Sequence, residues 1–198
     1  MDQLTAEQFY DWACLPENDD KMVELVRGRP QATPLPDQRH GVICSLAGTV
    51  LGEFVRKRRK GYACVGAGIV LRRNPDTVRC PDVSVFEEYK SHEELSDRLS
   101  DSIPSLAVEV ISAFDQPPDV AEKVVDLLNG GVVMVWVIDP QERTTTVHRP
   151  GLAPKRLTIH DELCDDAALP GLRCPVEEFF LLPADRARRR SAQRPSGP

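Results

Sequence analysis

No apolar run in this 198-residue sequence reaches the roughly 18 residues that a membrane-spanning helix needs, so no membrane role is expected. The first ten residues, MDQLTAEQFY, are acidic where a secretory signal is basic and then apolar. A soluble, cytoplasmic protein is therefore expected. The six cysteines (Cys14, Cys44, Cys64, Cys80, Cys164 and Cys174) include no CxxC pair and lack the dense spacing of a small disulfide framework. Free thiols are expected, and a zinc site is not. There is no glycine loop able to cradle phosphate and no dinucleotide fingerprint, since the GAG at Gly66–Gly68 is too short. Ser112 has no glycine-rich elbow that would make it a nucleophile. No internal repeat is present.

What the sequence does have is enough apolar residue, 41%, for one sizeable core and too little length for two. One domain over residues 1–183 is expected, followed by a basic, disordered tail over 184–198 that has almost nothing to bury. A net charge of -6 argues against coating nucleic acid by bulk electrostatics but leaves room for a local basic groove. Outside the tail, positive charge gathers in RKRRK at Arg56–Lys60, which reads more readily as a solvated helix end than as a phosphate contact.

The pattern is mixed. A short helix follows Thr5, with Gln8 completing a capping box, and KMVELVRGRPQAT reads as a hairpin around Gly28. Apolar residues at helical spacing (Ile43, Leu46, Ala47, Val50, Phe54) give a helix of about five turns from His40 to Arg59. YACVGAGIVLRR and RCPDVSVFE read as strands separated by the turn Asn74-Pro75-Asp76. A polar insert leads to the strand SLAVEVIS, then to a helix from Val120 to Asn129 ended by Gly130-Gly131, then to the apolar strand VVMVWVID. A last strand, RTTTVHR, precedes a mostly irregular C-terminal third. Strand, helix, strand in that order is a βαβ-like unit, so the class is α/β or α+β with a central mixed sheet flanked by helices.

One residue is out of place in that reading. In SLAVEVIS, Glu109 interrupts Leu106, Ala107, Val108, Val110 and Ile111. Alternation puts Ala107, Glu109 and Ile111 on one face, and Cys80, Asp82 and Ser84 together on the strand before. If those strands are neighbours, Asp82 and Glu109 meet. Two carboxylates among apolar neighbours repel and lose hydration unless a cation or donors compensate, and a hard divalent ion such as magnesium, or manganese, is the natural compensation. On the following helix Val120, Val124 and Leu127 mark the packed face, Lys123 lies at its edge, and Glu122 and Asp126 point away. Lys123 can bury its stem and bring its ammonium over the sheet, there to orient a water or stabilise charge on a phosphate. The structural alternatives are a Glu109 paired with an arginine, an Asp82 that caps a turn, and a snorkelling Lys123.

Read together, CPDVSVF, AVEVIS, Lys123 and VVMVWVIDP resemble the Uma-two family of endonucleases within the PD-(D/E)XK nuclease superfamily. MVELVRGRP is similar to that family's glutamate-containing hairpin, and LPDQRHGVICSLAGTVL to its histidine-led helix, so the resemblance runs from about Leu4 to Phe180. It implies a restriction-endonuclease-like fold and a metal-dependent hydrolase of DNA, with RNA as the other candidate substrate, acting as a homodimer. The alternative is a nuclease-fold protein without turnover that binds nucleic acid or protein. By the same resemblance Asp82 and Glu109 hold magnesium, with the Val110 carbonyl as a further ligand. Lys123 is then the catalytic lysine, displaced to the helix because Ile111 stands where the commoner pattern has it; Glu24 is an accessory acid and His40 a candidate at the edge of the site. Read from the residues alone, His40 fits a helix-start or hydrogen-bonding histidine better than a ligand, and Glu24 fits a structurally paired glutamate as well as a catalytic one. Two departures stand out: Leu127 replaces an aromatic residue, and the hairpin reads Arg27-Gly28-Arg29 where Asp-Gly-Glu is usual.

Overall fold

In the computed structural model, which describes residues 3–18, 22–165 and 168–192, two runs that read as continuous strands are each cut in two and shared between different sheets. YACVGAGIVLRR becomes β3 (Tyr62–Val65) and β4 (Ile69–Arg72), divided at Gly66–Gly68. RCPDVSVFE becomes β5 (Thr77–Arg79) and β6 (Val83–Phe86), divided at Cys80-Pro81-Asp82. With β1 (Val23–Val26) and β2 (Arg29–Ala32), β4 and β5 form a four-stranded sheet in the order β2-β1-β5-β4. With β7 (Leu106–Val110), β8 (Met134–Asp139), β9 (Thr144–His148) and β10 (Lys155–Thr158), β3 and β6 form a six-stranded sheet in the order β10-β9-β8-β7-β6-β3. Asp82 is therefore not inside a strand, as the alternation argument had it; it lies in the bend where the chain leaves one sheet for the other. Proline at that point donates no ladder hydrogen bond, which favours a break.

The helices cover both faces of the larger sheet. α2 (Gln38–Arg58) starts two residues before the expected His40, because Asp37 caps it by accepting from the His40 N–H. Its buried residues Ile43, Ala47, Leu51 and Val55 recur every fourth position and pack on Val83, Val85, Leu106, Val108, Val110, Met134, Trp136 and Ile138. α3 (Pro117–Asn129) begins at paired prolines, which fit a first turn where no amide partner is needed. It lays Val124 and Leu127 on Ala107, Val135 and Val137. The strand–helix–strand unit β7-α3-β8 is parallel, and the other strand pairs are antiparallel. α1 (Ala6–Ala13) has the expected capping box and closes a small third core with Phe9 against Leu25, Val70 and Val78.

The register explains how carboxylates can meet across the sheet break. β6 and β7 pair Val83 with Val108 and Ser84 with Ala107, so extending the ladder by one residue brings Asp82 opposite Glu109. Directly opposed residues in an antiparallel pair share a face.

The C-terminal third is more ordered than its proline-rich sequence implied. After β10 comes the hairpin of β11 (Glu162–Asp165) and β12 (Leu172–Pro175), a 3-10 turn at Val176–Phe180, and α4 (Pro183–Ala192). Leu163, Leu169, Leu172, Val176 and Phe179 are buried in the main core. The segment expected to be disordered from residue 184 is thus helical to Ala192, and 193–198 lie outside the described residues. Among the described residues no helix is long and apolar enough to cross a membrane.

Candidate functional site

The break at Cys80-Pro81-Asp82 opens onto a cleft of about 450 Å³ lined by Glu24, His40, Asp82, Glu109, Val110 and Lys123, which are all six residues singled out from the sequence. Their elements are different: β1 brings Glu24, the first turn of α2 brings His40, the end of β7 brings Glu109 and Val110, and α3 brings Lys123.

Asp82 is oriented from two sides. One carboxylate oxygen accepts from the Val110 N–H at 2.7 Å, and the other lies 3.2 Å from His40 Nε2. Val110 thus lends its amide to the site. The hydrogen bond to Asp82 raises the pKa of His40, against a smaller opposing effect of burial, and so favours the imidazolium. Glu109 is 7% exposed. One of its oxygens is 2.8 Å from Lys123 Nζ, while the other, Oε1, is buried with no hydrogen-bond partner. Burial is the largest influence on this carboxyl and pushes its pKa up to about 8; Lys123 opposes that, and the charges of Asp82 and Glu24 add to it. Lys123 also lies 2.9 Å from Glu24 and donates to the Cys80 carbonyl at 3.0 Å. Burial works against its charge, but Glu109, Glu24 and Asp82 outweigh that and hold it protonated. The two members of the Lys123–Glu109 pair therefore respond differently. The lysine faces three carboxylates and stays charged, whereas Glu109 has one cation against burial and two like charges and is the group that gives.

Two residues the sequence reading did not single out complete the surroundings. Arg79, at the end of β5, donates to Glu24 at 2.8 Å and to Asp126 at 2.6 and 3.0 Å, with only 5% of its side chain exposed. Asp126, expected to point away, instead turns to Arg79 and stays mostly buried. Glu24 is fully engaged: one oxygen takes Arg79, and the other takes the Cys80 N–H at 2.8 Å and Lys123. Burial raises its pKa, but Lys123, Arg79 and the Cys80 amide together bring it below the usual range. The helical wheel misplaced Asp126 because it considers one helix alone; the signal available was an arginine three residues before Asp82 with an acid on the following helix. Glu122 does reach outward, to Arg27 of the hairpin turn at 2.7 Å. Leu127, in the place of an aromatic residue, is fully buried in the core between α3 and the sheet.

The basic run at the far end of α2 takes no part in the cleft. Arg58 and Lys60 are both held by Glu87, Arg58 stacks over Phe54, and Lys57 pairs with Glu53. At 1.5 Å per residue, about 27 Å of helix separates Arg58 from His40.

The donor set suits a small divalent cation. Asp82 and Glu109 are hard oxygen donors on one surface, and the unpartnered Oε1 is an acceptor in want of positive charge. The Cys80 thiol beside them is pushed up to about 12 by burial and by Glu24, so it stays neutral and adds no competing anion.

The family model Uma2 (Uma-two), described as "Putative restriction endonuclease", matches residues 6–177. Among solved structures the chain is similar to one described as a putative nuclease belonging to DUF820 from Anabaena variabilis. That protein is 22% identical with a TM-score of 0.75, and the match covers 89% of this chain and 97% of that one. The likeness shows the restriction-endonuclease-like fold. No curated protein matches the sequence.

Proposed function

Since this chain belongs to the Uma2 family of restriction-endonuclease-like proteins, we propose that it is a magnesium- or manganese-dependent endonuclease that hydrolyses the phosphodiester backbone of DNA. The observation behind the reading is Glu109 Oε1, a buried carboxylate oxygen without a partner beside a second carboxylate, in a cleft that also receives a lysine. Stability alone would select against such an atom, because a buried acceptor without a donor costs about 1–3 kcal/mol.

Asp82 and Glu109 would hold the ion, with the Val110 carbonyl as a further ligand. When bound, such an ion lowers the pKa of a water and neutralises charge on the phosphate. The residues of the chain then divide the rest. His40 and the Val110 amide fix the rotamer of Asp82. Glu24 and the Cys80 carbonyl hold Lys123 with its ammonium toward Glu109. From there Lys123 orients the attacking water and stabilises charge that develops on the phosphate oxygens. Arg79 keeps Glu24 ionised, and so acts on the lysine at one remove. Cleavage of both strands of a duplex favours a homodimer with two-fold symmetry.

The test is to incubate wild type and Asp82→Asn with plasmid, short duplexes and RNA, with magnesium, with manganese or with chelator. Wild type should nick DNA only with metal, and Asp82→Asn should lose roughly a thousandfold in rate, the equivalent of several kcal/mol of metal-derived stabilisation. Cleavage that survives chelator would overturn the metal-dependent mechanism. Cleavage of RNA alone would reassign the substrate, and no cleavage by wild type would turn the reading to a binding module of the same fold.

A further inference from the structure

The first turns of α2 bring a second kind of donor to the cleft. His40 and Cys44 are four residues apart and so lie one above the other on the same helix face. The Cys44 sulfur is 3.5 Å from His40 Nδ1 and 3.8 Å from Nε2, and Nε2 is in turn 3.2 Å from Asp82 Oδ1. One ligand atom from each of the three residues lies within 4.8 Å of the others. We propose that His40, Cys44 and Asp82 form a second metal site, which takes a borderline-soft ion of the zinc class and shares Asp82 with the hard-ion site.

Bonds of about 2.0–2.1 Å to nitrogen and oxygen and about 2.3 Å to sulfur, at tetrahedral angles, set N···O roughly 3.3 Å and N···S roughly 3.6 Å apart. The 3.2 Å between His40 Nε2 and Asp82 already matches, whereas the Cys44 sulfur, 3.5 Å from Nδ1 and 3.8 Å from Nε2, lies against the imidazole and reaches the Nε2 side by a rotation of its side chain. A nitrogen, a sulfur and an oxygen make a donor set that zinc or cobalt accepts and magnesium avoids. Three protein ligands leave a fourth position, to be filled from the cleft that His40 and Asp82 line.

Cys44 is buried and one helical turn from His40, so the three ligand atoms are held by packed elements, two on α2 and one at the break between the sheets. Binding would replace the S–H bond by a sulfur–metal bond and release the proton to water.

One consequence rests on the nuclease reading. An ion held by His40 and Cys44 takes Asp82 away from magnesium, so zinc would act as an inhibitor of cleavage.

The experiment is a titration of the full chain with cobalt(II), in which binding is read by absorbance. Wild type should bind one equivalent, with the visible bands of a tetrahedral ion and a thiolate-to-cobalt charge-transfer band in the near ultraviolet, both removed by zinc. Cys44→Ser should lose the charge-transfer band, while the exposed Cys14→Ser keeps it. His40→Gln, checked for folding by circular dichroism, should bind more weakly by more than the roughly 10–100-fold that loss of a partner behind a ligand costs. Wild type that binds no cobalt, or a charge-transfer band that survives Cys44→Ser, would overturn the site. None of these readouts needs cleavage, so they stand or fall apart from the nuclease reading. Where wild type does cleave, zinc added under saturating magnesium should slow it, because a nitrogen, sulfur and oxygen donor set takes zinc in preference to magnesium. The ratio of rates with and without zinc should move toward one in Cys44→Ser, and equal sensitivity of the two proteins would sink the shared use of Asp82.

Discussion

Two charged clusters sit side by side at the break between the sheets, and they are built on opposite terms. In the cluster of Glu24, Arg79 and Asp126, the arginine spans two carboxylates and Glu24 has both oxygens taken. In the cluster of Asp82, Glu109 and Lys123, one carboxylate oxygen is left without a donor and the carboxyl that owns it is pushed up to about 8, chiefly by burial. Lys123 touches both through Glu24 and Glu109. The closed cluster looks after its own charges and braces α3 against β5. The open one has the same two carboxylates to one cation but leaves Glu109 Oε1 without a donor, and it is this atom that the nuclease reading assigns to a metal ion.

The largest expected effect comes from opening the closed cluster. Arg79→Met should lower the unfolding free energy by about 3–5 kcal/mol, because it leaves Glu24 and Asp126 buried with too little positive charge. Urea denaturation at pH 7 measures it. A loss under about 1 kcal/mol would show that the two clusters are not different in kind.

A second closed group allows the comparison to be made by pH. Asp76, 8% exposed, accepts from the Ala6 N–H at 2.8 Å, the Asn74 N–H at 2.9 Å and Arg73 at 3.1 Å, and so ties α1 to the turn between β4 and β5. Burial raises its pKa, but the two amides and Arg73 prevail and hold it below the ordinary value. A carboxyl whose pKa is depressed by folding contributes stability that is complete above its unfolded pKa and is lost as pH falls through the folded one. Asp76→Asn should therefore cost about 1–3 kcal/mol at neutral pH, and its gap from wild type should shrink below about pH 4. Thermal melts at stepped pH read the gap, and one that stays constant into acid would remove Asp76 from the class of charged braces.

Most elements were legible in the sequence because periodicity reports burial. The stripe Ile43, Leu46, Ala47, Val50 and Phe54 announces α2, although the face it buries runs through Ile43, Ala47, Leu51 and Val55, and the apolar run Val135–Ile138 announces a strand buried on both faces. Alternation set Glu109 on one sheet face, the helical wheel put Lys123 at the edge of the face that packs on the sheet, and the two meet. What alternation does not report is a strand's partner. Nothing in YACVGAGIVLRR tells that its halves belong to different sheets, and the same gap hid the approach of Arg79 to Asp126, while the turn at Asp82 was one of the alternatives the proline before it offered. Cys44 was overlooked for a related reason. On α2 it reads as one more apolar position beside Ile43, and only the fold brings Asp82 to it and His40. The short strands after Pro150 escaped because proline and glycine obscure a pattern that has only four residues to show itself.

The smallest expected effect is also the sharpest, because its sign is opposite. Glu109→Gln keeps an oxygen for Lys123 and removes a carboxyl that folding has driven far from its ordinary value. Lys123 retains Glu24 and the Cys80 carbonyl. Stability in chelator should accordingly be nearly unchanged at neutral pH, where a carboxyl pushed up to about 8 is already largely protonated, and raised by up to about 1 kcal/mol above pH 8, where only wild type carries the buried charge. Added magnesium should separate the two proteins. Wild type should gain about 2.7 kcal/mol when the ion is at a hundred times its dissociation constant, and Glu109→Gln should gain far less at the same concentration. A variant that loses 3 kcal/mol without any metal would place Glu109 with Arg79 among the braces and erase the distinction between the clusters. A variant that keeps its stability and loses its response to magnesium would tie the cost of burying Glu109 to ion binding.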